Sequence, residues 1–269
     1  ILMGYEGRWA MEAGLDLKPM QAHLDAARFH ETLLRRSLPV DALDPHCQLS
    51  RYRLVIAPRL WLVDERIAAN LRSFVERGGV LCLTAASGVV DEYNKSFDTP
   101  RPGPLADMAG VEVSDLSPLH HPFAISSQSI PALEGTQALD MADEMHPTTA
   151  EVLAVYTEGW RKNLPVLTRN RWGQGWVYYL GAVLEGDALG SLVDALLAQA
   201  GIERGLETPE GVFAYERRSE KIRLLFLLNH NEQPRQVNLP AGWQDAYTGQ
   251  PCQQVEIEQV GVRLVKSFL

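Results

Sequence analysis

The side chains best able to do chemistry in this sequence are scattered along it rather than gathered in one motif. Cys47, Cys82 and Cys252 lie far apart and never form a CxxC pair, so their spacing favours neither a zinc site nor a structural disulfide. Cys82 sits inside the apolar run Val80-Leu81-Cys82-Leu83-Thr84, where a free thiol behaves as a small hydrophobe. Ser87-Gly88 supplies half of a strand-to-helix nucleophile turn, but Ala85 stands where that motif places its first glycine. His120 and His121 are adjacent, would point to opposite sides of an extended segment, and so suit one metal ion poorly. Asp91, Glu92 and Asp98 form an acidic group that fits a cation, a sugar hydroxyl, a capped turn or a subunit contact. From these residues no catalytic set, no metal ligand set and no cofactor is assigned.

The elements that must position these groups follow from hydrophobic spacing. Tyr52 to Pro58 is a short apolar run closed by proline, as a strand covered on both faces requires. Asp64-Glu65 then opens a helix with carboxylates where the macrodipole favours them, and Ile67, Leu71, Phe74 and Val75 form its apolar stripe. Gly78-Gly79 stops it, and Val80 to Thr84 is the next strand. Ile1 to Gly4 and Pro39 to Leu43 read as two further strands, with a helix after Pro19 that places Met20, Leu24, Ala27 and Leu34 on one face. Ala85 to Pro104 is a long polar loop, and Asp115 to His146 reads as polar and irregular. Pro165 to Arg169 and Trp176 to Leu180 read as a hairpin, and Leu189, Leu192, Val193, Leu196 and Leu197 as a last helix ending at Gly201. After Gly205 only short strands remain. The expected fold is α/β, a doubly wound and mainly parallel sheet over residues 1–205, followed by a small antiparallel β-sandwich over residues 206–269.

Composition narrows the partners. A formal charge of −9 over 269 residues opposes nucleic acid and an anionic membrane, and no apolar run approaches membrane-spanning length. Hydrophobic content of 46% supports a substantial core, and three unpaired cysteines fit a cytoplasmic, reducing compartment. The sequence opens at Ile1 as if inside a strand and is read as the C-terminal piece of a longer polypeptide.

Several of these segments carry a resemblance. Arg53 to Leu60, the Gly78-Gly79 strand start, Ser87 to Asn94, Asp98-Thr99-Pro100, Pro102 to Leu105 and Gly110 to Val113 resemble the trimerisation domain of family 42 glycoside hydrolases, the bacterial β-galactosidases. Arg8-Trp9-Ala10-Met11-Glu12 upstream and Asn170 to Gly175 downstream continue the likeness. Gly211-Val212 with Phe226 to His230 resembles the small C-terminal β domain of the same enzymes. The chain departs from that pattern at Ala86, where relatives often carry a basic residue.

The resemblance implies an α/β domain with the fold of class I glutamine amidotransferases but without their nucleophile. It implies a homotrimer, a (β/α)8 catalytic barrel earlier in the same polypeptide, and a retaining hydrolase of terminal β-galactosides. Such an enzyme needs two carboxylates about 5 Å apart. The single Asn-Glu pair here, Asn231-Glu232 beside Pro234, is explained by a hairpin turn. The expected roles are therefore an interface, or a wall near the substrate of a neighbouring subunit, carried by Arg8, Trp9, Asp91, Glu92, Tyr93 and Asn94. Phe97 and Leu105 would be apolar anchors of that contact. The rival reading is a stand-alone carbohydrate- or protein-binding scaffold.

Overall fold

In the computed structural model, residues 1–14 and 22–269 are described, and they divide into two units. One comprises Ile1–Phe29 and Ala42–Ile202, the other His30–Asp41 and Glu203–Leu269.

The first unit opens with a single residue of sheet. Leu2 bridges Leu43 in parallel, and its N–H donates to the Ile56 carbonyl at 2.8 Å. The strands expected over Ile1 to Gly4 and Pro39 to Leu43 are thus reduced to these two positions. Helix α1 (Tyr5–Gly14) follows at once, where no helix was expected. Helix α2 (Ala22–Leu34) buries Ala26, Phe29 and Leu33, while Leu24 is 39% exposed and Ala27 faces solvent. The stripe is therefore offset from the expected one, of which Met20 lies outside the described residues. Phe29 explains the offset: one aromatic ring outweighs several small side chains in the area it removes from water.

Strand β1 (Leu54–Ala57), helix α3 (Glu65–Glu76) and strand β2 (Val80–Thr84) form the expected βαβ unit. Asp64 caps α3 by accepting from the Ile67 N–H at 2.6 Å, and the expected stripe is buried, with Ala68 added to it. A one-turn helix α4 (Ala106–Ala109) leads into β3 (Val111–Pro118), β4 (Phe123–Ser126), β5 (Gln137–Pro147) and β6 (Glu151–Tyr156). The segment from Asp115 to His146 is therefore strand-rich, not irregular. A bulge between Val113 and Asp115 breaks the two-residue alternation that would have revealed β3.

Strands β7 (Pro165–Trp172) and β8 (Gly175–Leu180) make the expected hairpin. Gly175 is required there, because a Cβ would meet the Gly79 carbonyl at 2.2 Å. A two-residue strand β9 (Ala182–Val183) pairs with β5, and helix α5 (Gly186–Gln199) buries all five expected leucine and valine positions.

The sheet runs β1-β2-β8-β7-β6-β4-β5-β3. β1, β2 and β8 are parallel, and the sheet continues beyond β8 in antiparallel strands. With Leu2 and Leu43 added, the parallel half has the spatial order Leu43, Leu2, β1, β2, β8. Chain order thus reverses direction between Leu2 and β1, the kind of point where open α/β sheets bind ligands.

The second unit holds β10 (Val212–Arg218), β11 (Ile222–Asn229), β12 (Arg235–Asn238), β13 (Gln244–Asp245), β14 (Gln254–Ile257) and β15 (Val262–Phe268). They form a four-stranded sheet, β10-β11-β15-β13, and a β12-β14 ribbon, all pairs antiparallel. Val212, Leu225, Leu227, Val237, Trp243, Ile257 and Val265 share one core drawn from both. Asn231 lies in the connection between β11 and β12, which belong to different sheets, so the turn is not the expected hairpin but a crossing from one sheet to the other; its Nδ2 donates to Asn229 Oδ1 and the Glu210 carbonyl.

Candidate functional site

The carboxyl ends of β1 and β2 each carry a costly backbone conformation. Arg59 has φ +42° and Ala86 has φ +65°, both left-handed, and neither is glycine. Ala86 occupies the bend after β2 where a nucleophile would sit, one residue before the serine expected there. The alanine methyl brings no chemistry to that bend. Ser87 is 1% exposed; its Oγ donates to the Thr84 carbonyl at 2.7 Å and accepts from the Leu60 N–H at 3.2 Å. It braces the turn. Gly88 closes the turn with φ +62°, and a Cβ there would lie 2.1 Å from the Pro102 carbonyl oxygen. Cys82 is fully buried within β2, and burial pushes its thiol up to about 12, out of range for a nucleophile.

Beneath the bend lies a buried polar network. Asp143 Oδ2 accepts from the Tyr179 hydroxyl at 2.7 Å and from the Ala86 N–H at 3.0 Å, while its Oδ1 finds no partner among the described residues. Burial pushes the Asp143 carboxyl up to about 6, against the lowering effect of the Tyr179 hydrogen bond. Arg59 donates through Nε to Asp25 and through Nη2 to Asp140, a residue that is itself left-handed at φ +65°. The Thr84 hydroxyl accepts from the Arg59 N–H at 2.8 Å, so one set of bonds fixes both strand ends. Nothing in the order of residues pointed to this network. Asp140 and Asp143 fell in the stretch read as irregular, and Arg59 followed Pro58 as an ordinary loop residue.

The expected site residues come together in part. On α1, Arg8 Nε donates to Glu12 at 2.7 Å, and Trp9 is 62% exposed with its ring 6.0 Å from that of Tyr5. Residues 91–95 form a tight turn in which Asp91 Oδ1 accepts from the N–H groups of Tyr93 and Lys95, both at 2.9 Å. Tyr93 is 83% exposed, Glu92 is exposed, and left-handed Asn94 reaches the Ala10 carbonyl of α1 at 3.5 Å. The turn and α1 thus share one exposed face. Leu105 is not part of it: its side chain is fully buried in the core of its own unit, and Phe97 packs over Gly103. His121 stacks on Phe123 at 4.5 Å. Among the described residues, no three His, Cys, Asp or Glu side chains could hold a metal ion, and no helix is long and apolar enough to cross a membrane.

Beside this face, at the reversal of chain order, a crevice of about 430 Å³ opens between the segment after Leu2 and the segment after β1. Met3 to Arg8 form one wall and Pro58 to Leu62 another, with Ala42 to His46 closing the side. On that side His46 bridges Asp44 at 2.9 Å and Asp64 at 2.7 Å. The Asp64 hydrogen bond, with that of Asp44, holds the His46 imidazolium above its ordinary range.

Comparison with known proteins fits this architecture. Residues 1–203 match the family described as the β-galactosidase trimerisation domain, and residues 211–267 the β-galactosidase C-terminal domain. The β-galactosidase BglY of Alicyclobacillus acidocaldarius is 32% identical over 248 residues, which cover 89% of this chain and 36% of that protein. The β-galactosidase Pbg of Clostridium perfringens is 27% identical over 277 residues, covering 99% and 40%. The crystal structure of a β-galactosidase from Bacillus circulans sp. alkalophilus superposes with a TM-score of 0.94 at 29% identity, over 99% of this chain and 40% of that one. The chain therefore spans well under half the length of these relatives.

Proposed function

The chain belongs to the family of β-galactosidase trimerisation domains, here joined to the β-galactosidase C-terminal domain, and from that premise we propose that it is the assembling, non-catalytic part of an enzyme that hydrolyses terminal β-D-galactosides. Its partners in this reading are two further copies of itself, in a homotrimer, and a (β/α)8 barrel of the same polypeptide that supplies both catalytic carboxylates and binds the β-galactoside. The compartment is the cytoplasm. The α/β domain runs over residues 1–205 and the β-sandwich domain over 206–269.

One observation carries the assembly role. The α1 face and the 91–95 turn expose Tyr5, Trp9 and Tyr93 on a domain whose family self-associates by description. Large exposed aromatics are rare on a monomer and common as interface anchors. Arg8, Asp91, Glu92 and Asn94 then form the polar rim around Trp9 and Tyr93. Cyclic symmetry repeats each contact three times, so a modest local affinity suffices.

Sedimentation of the 269-residue chain tests this. The expected result is a trimer that falls to monomer when Trp9→Ser and Tyr93→Ser are combined, with unchanged far-ultraviolet dichroism. A trimer indifferent to both changes would move the interface elsewhere.

A further inference from the structure

The bend after β2 is held by a side chain that can change its charge, and an exposed turn is tied to that bend. We propose that Asp143 is a proton-operated latch on residues 86–95: ionised, it grips the Ala86 amide and fixes the turn that presents Tyr93, and protonated, it loosens that grip. As a control on self-association the latch rests on the assembly role; as a device within one chain it stands by itself.

Geometry is the first argument. Asp143 reaches from β5 to the end of β2, where its Oδ2 accepts from the Ala86 N–H at 3.0 Å and from the Tyr179 hydroxyl at 2.7 Å. Bonds to an ionised acceptor are about twice as strong as neutral ones. A proton on Oδ2 would face two donors at one oxygen. A proton on Oδ1 would lie where that atom finds no partner among the described residues, and it would leave both bonds neutral. Either placement weakens the bond to Ala86. The fold as a whole gains from protonation, because a buried charge is costly, while this one bond gains from ionisation.

The surrounding groups set the window. Tyr179 of β8, Tyr156 of β6, Arg59 after β1 and Arg101 before α4 face Asp143. Burial raises both tyrosines, and an arginine keeps its charge, so none of the four switches near neutral pH. Asp143 does, its carboxyl pushed up to about 6.

The segment leaving the bend is tied down in sequence. The Gly88 N–H donates to the Leu60 carbonyl at 2.8 Å and the Val89 N–H to the Trp61 carbonyl at 2.9 Å, while the Val63 N–H donates to the Val90 carbonyl at 3.0 Å. The Asp91 N–H reaches the Lys95 carbonyl at 2.9 Å and closes the turn that carries Tyr93. Ala86 is the entry to this path, and its left-handed backbone persists only while its surroundings hold it. Two braces do so. Ser87, bonded to the Thr84 carbonyl, does not titrate in this range; Asp143 does.

The test is a pH titration of the 15N-labelled 269-residue chain, reading amide shifts and hydrogen exchange corrected for its intrinsic pH dependence. The expected result is one transition near about pH 6 shared by Ala86 and the amides of 87–95, with Ala86 exchange about ten-fold slower above it than below. Asp143→Asn should abolish the transition. Tyr179→Phe removes a bond that lowers the carboxyl and should move the transition to higher pH. His46→Gln should leave it in place. Sedimentation of the same samples should show weaker self-association below the transition, a dependence absent in Asp143→Asn. An Ala86 amide without a transition, a transition that survives Asp143→Asn, or self-association equal on both sides would each overturn the proposal. A chain monomeric throughout, with the transition intact, would count against the assembly role and support the latch as a device of the single chain.

Discussion

The carboxylate of Asp143 holds the backbone N–H of Ala86 across 57 residues of chain, at 3.0 Å, and thereby ties the middle of the antiparallel half of the sheet to the bend that ends β2. Ala86 is left-handed and without a polar side chain, so it can be gripped only through its backbone. The grip costs something, since Asp143 is fully buried and one of its oxygens has no partner among the described residues.

That cost depends on pH. The Asp143 carboxyl titrates at about 6 in the folded chain and near 3.9 in the unfolded one, so protonation favours folding. Its stabilising contribution is complete below about pH 4 and is lost as pH rises through about 6, a swing on the order of 3 kcal/mol. Asp143→Asn should be more stable than the native chain at pH 7 and should lose the pH dependence between 4 and 6. Urea denaturation at both ends of that window measures it, and an unchanged slope would exclude Asp143 as its source.

His46 acts in a higher window. Its folded pKa is raised by Asp64 and Asp44, so the contribution of this clasp is present below about 6.5 and lost as pH rises through the folded value. His46→Gln should lower the denaturation midpoint at pH 6 and approach the native chain under alkaline conditions. A constant deficit at all pH values would mean that the residue contributes only packing.

Arg59 is a cation with a nearly inaccessible side chain between Asp25 and Asp140. Arg59→Met preserves volume but leaves Asp140 without this partner and the buried Asp25 with Arg28 alone, and should cost about 3 kcal/mol. Adding Asp25→Asn should recover part of that loss. If the double variant were no better than the single one, the ion pair would not be the source of the cost.

The βαβ unit from Leu54 to Thr84 was legible because three local signals agree there: an apolar run, the Asp64 cap and the Gly78-Gly79 stop. The hairpin at Gly173-Gln174 and helix α5 were legible for the same reason. Helix α1 was not, since Gly4 and Gly7 mask its start and its exposed aromatics form no buried stripe. The strands between Asp115 and His146 were hidden by register shifts at Val113/Asp115 and at Leu139/Ala142, which move side chains off the two-residue period. Among the candidate site residues, Trp9 and Tyr93 stood out by type, and both are exposed. Arg59 and Asp143 did not, because what distinguishes them is burial among distant partners, and composition carries no trace of it.

Strand β8 pairs with β2 on one side in parallel and with β7 on the other in antiparallel register. It is the last long strand of its sheet to leave the ribosome, yet it is the neighbour that β2 has waited for since Thr84. All five residues of β2 are buried in the finished fold, so a nascent or truncated chain that stops short of Gly175 presents them as an open, apolar edge. The order of synthesis therefore leaves the unfinished domain with an adhesive edge until β8 arrives.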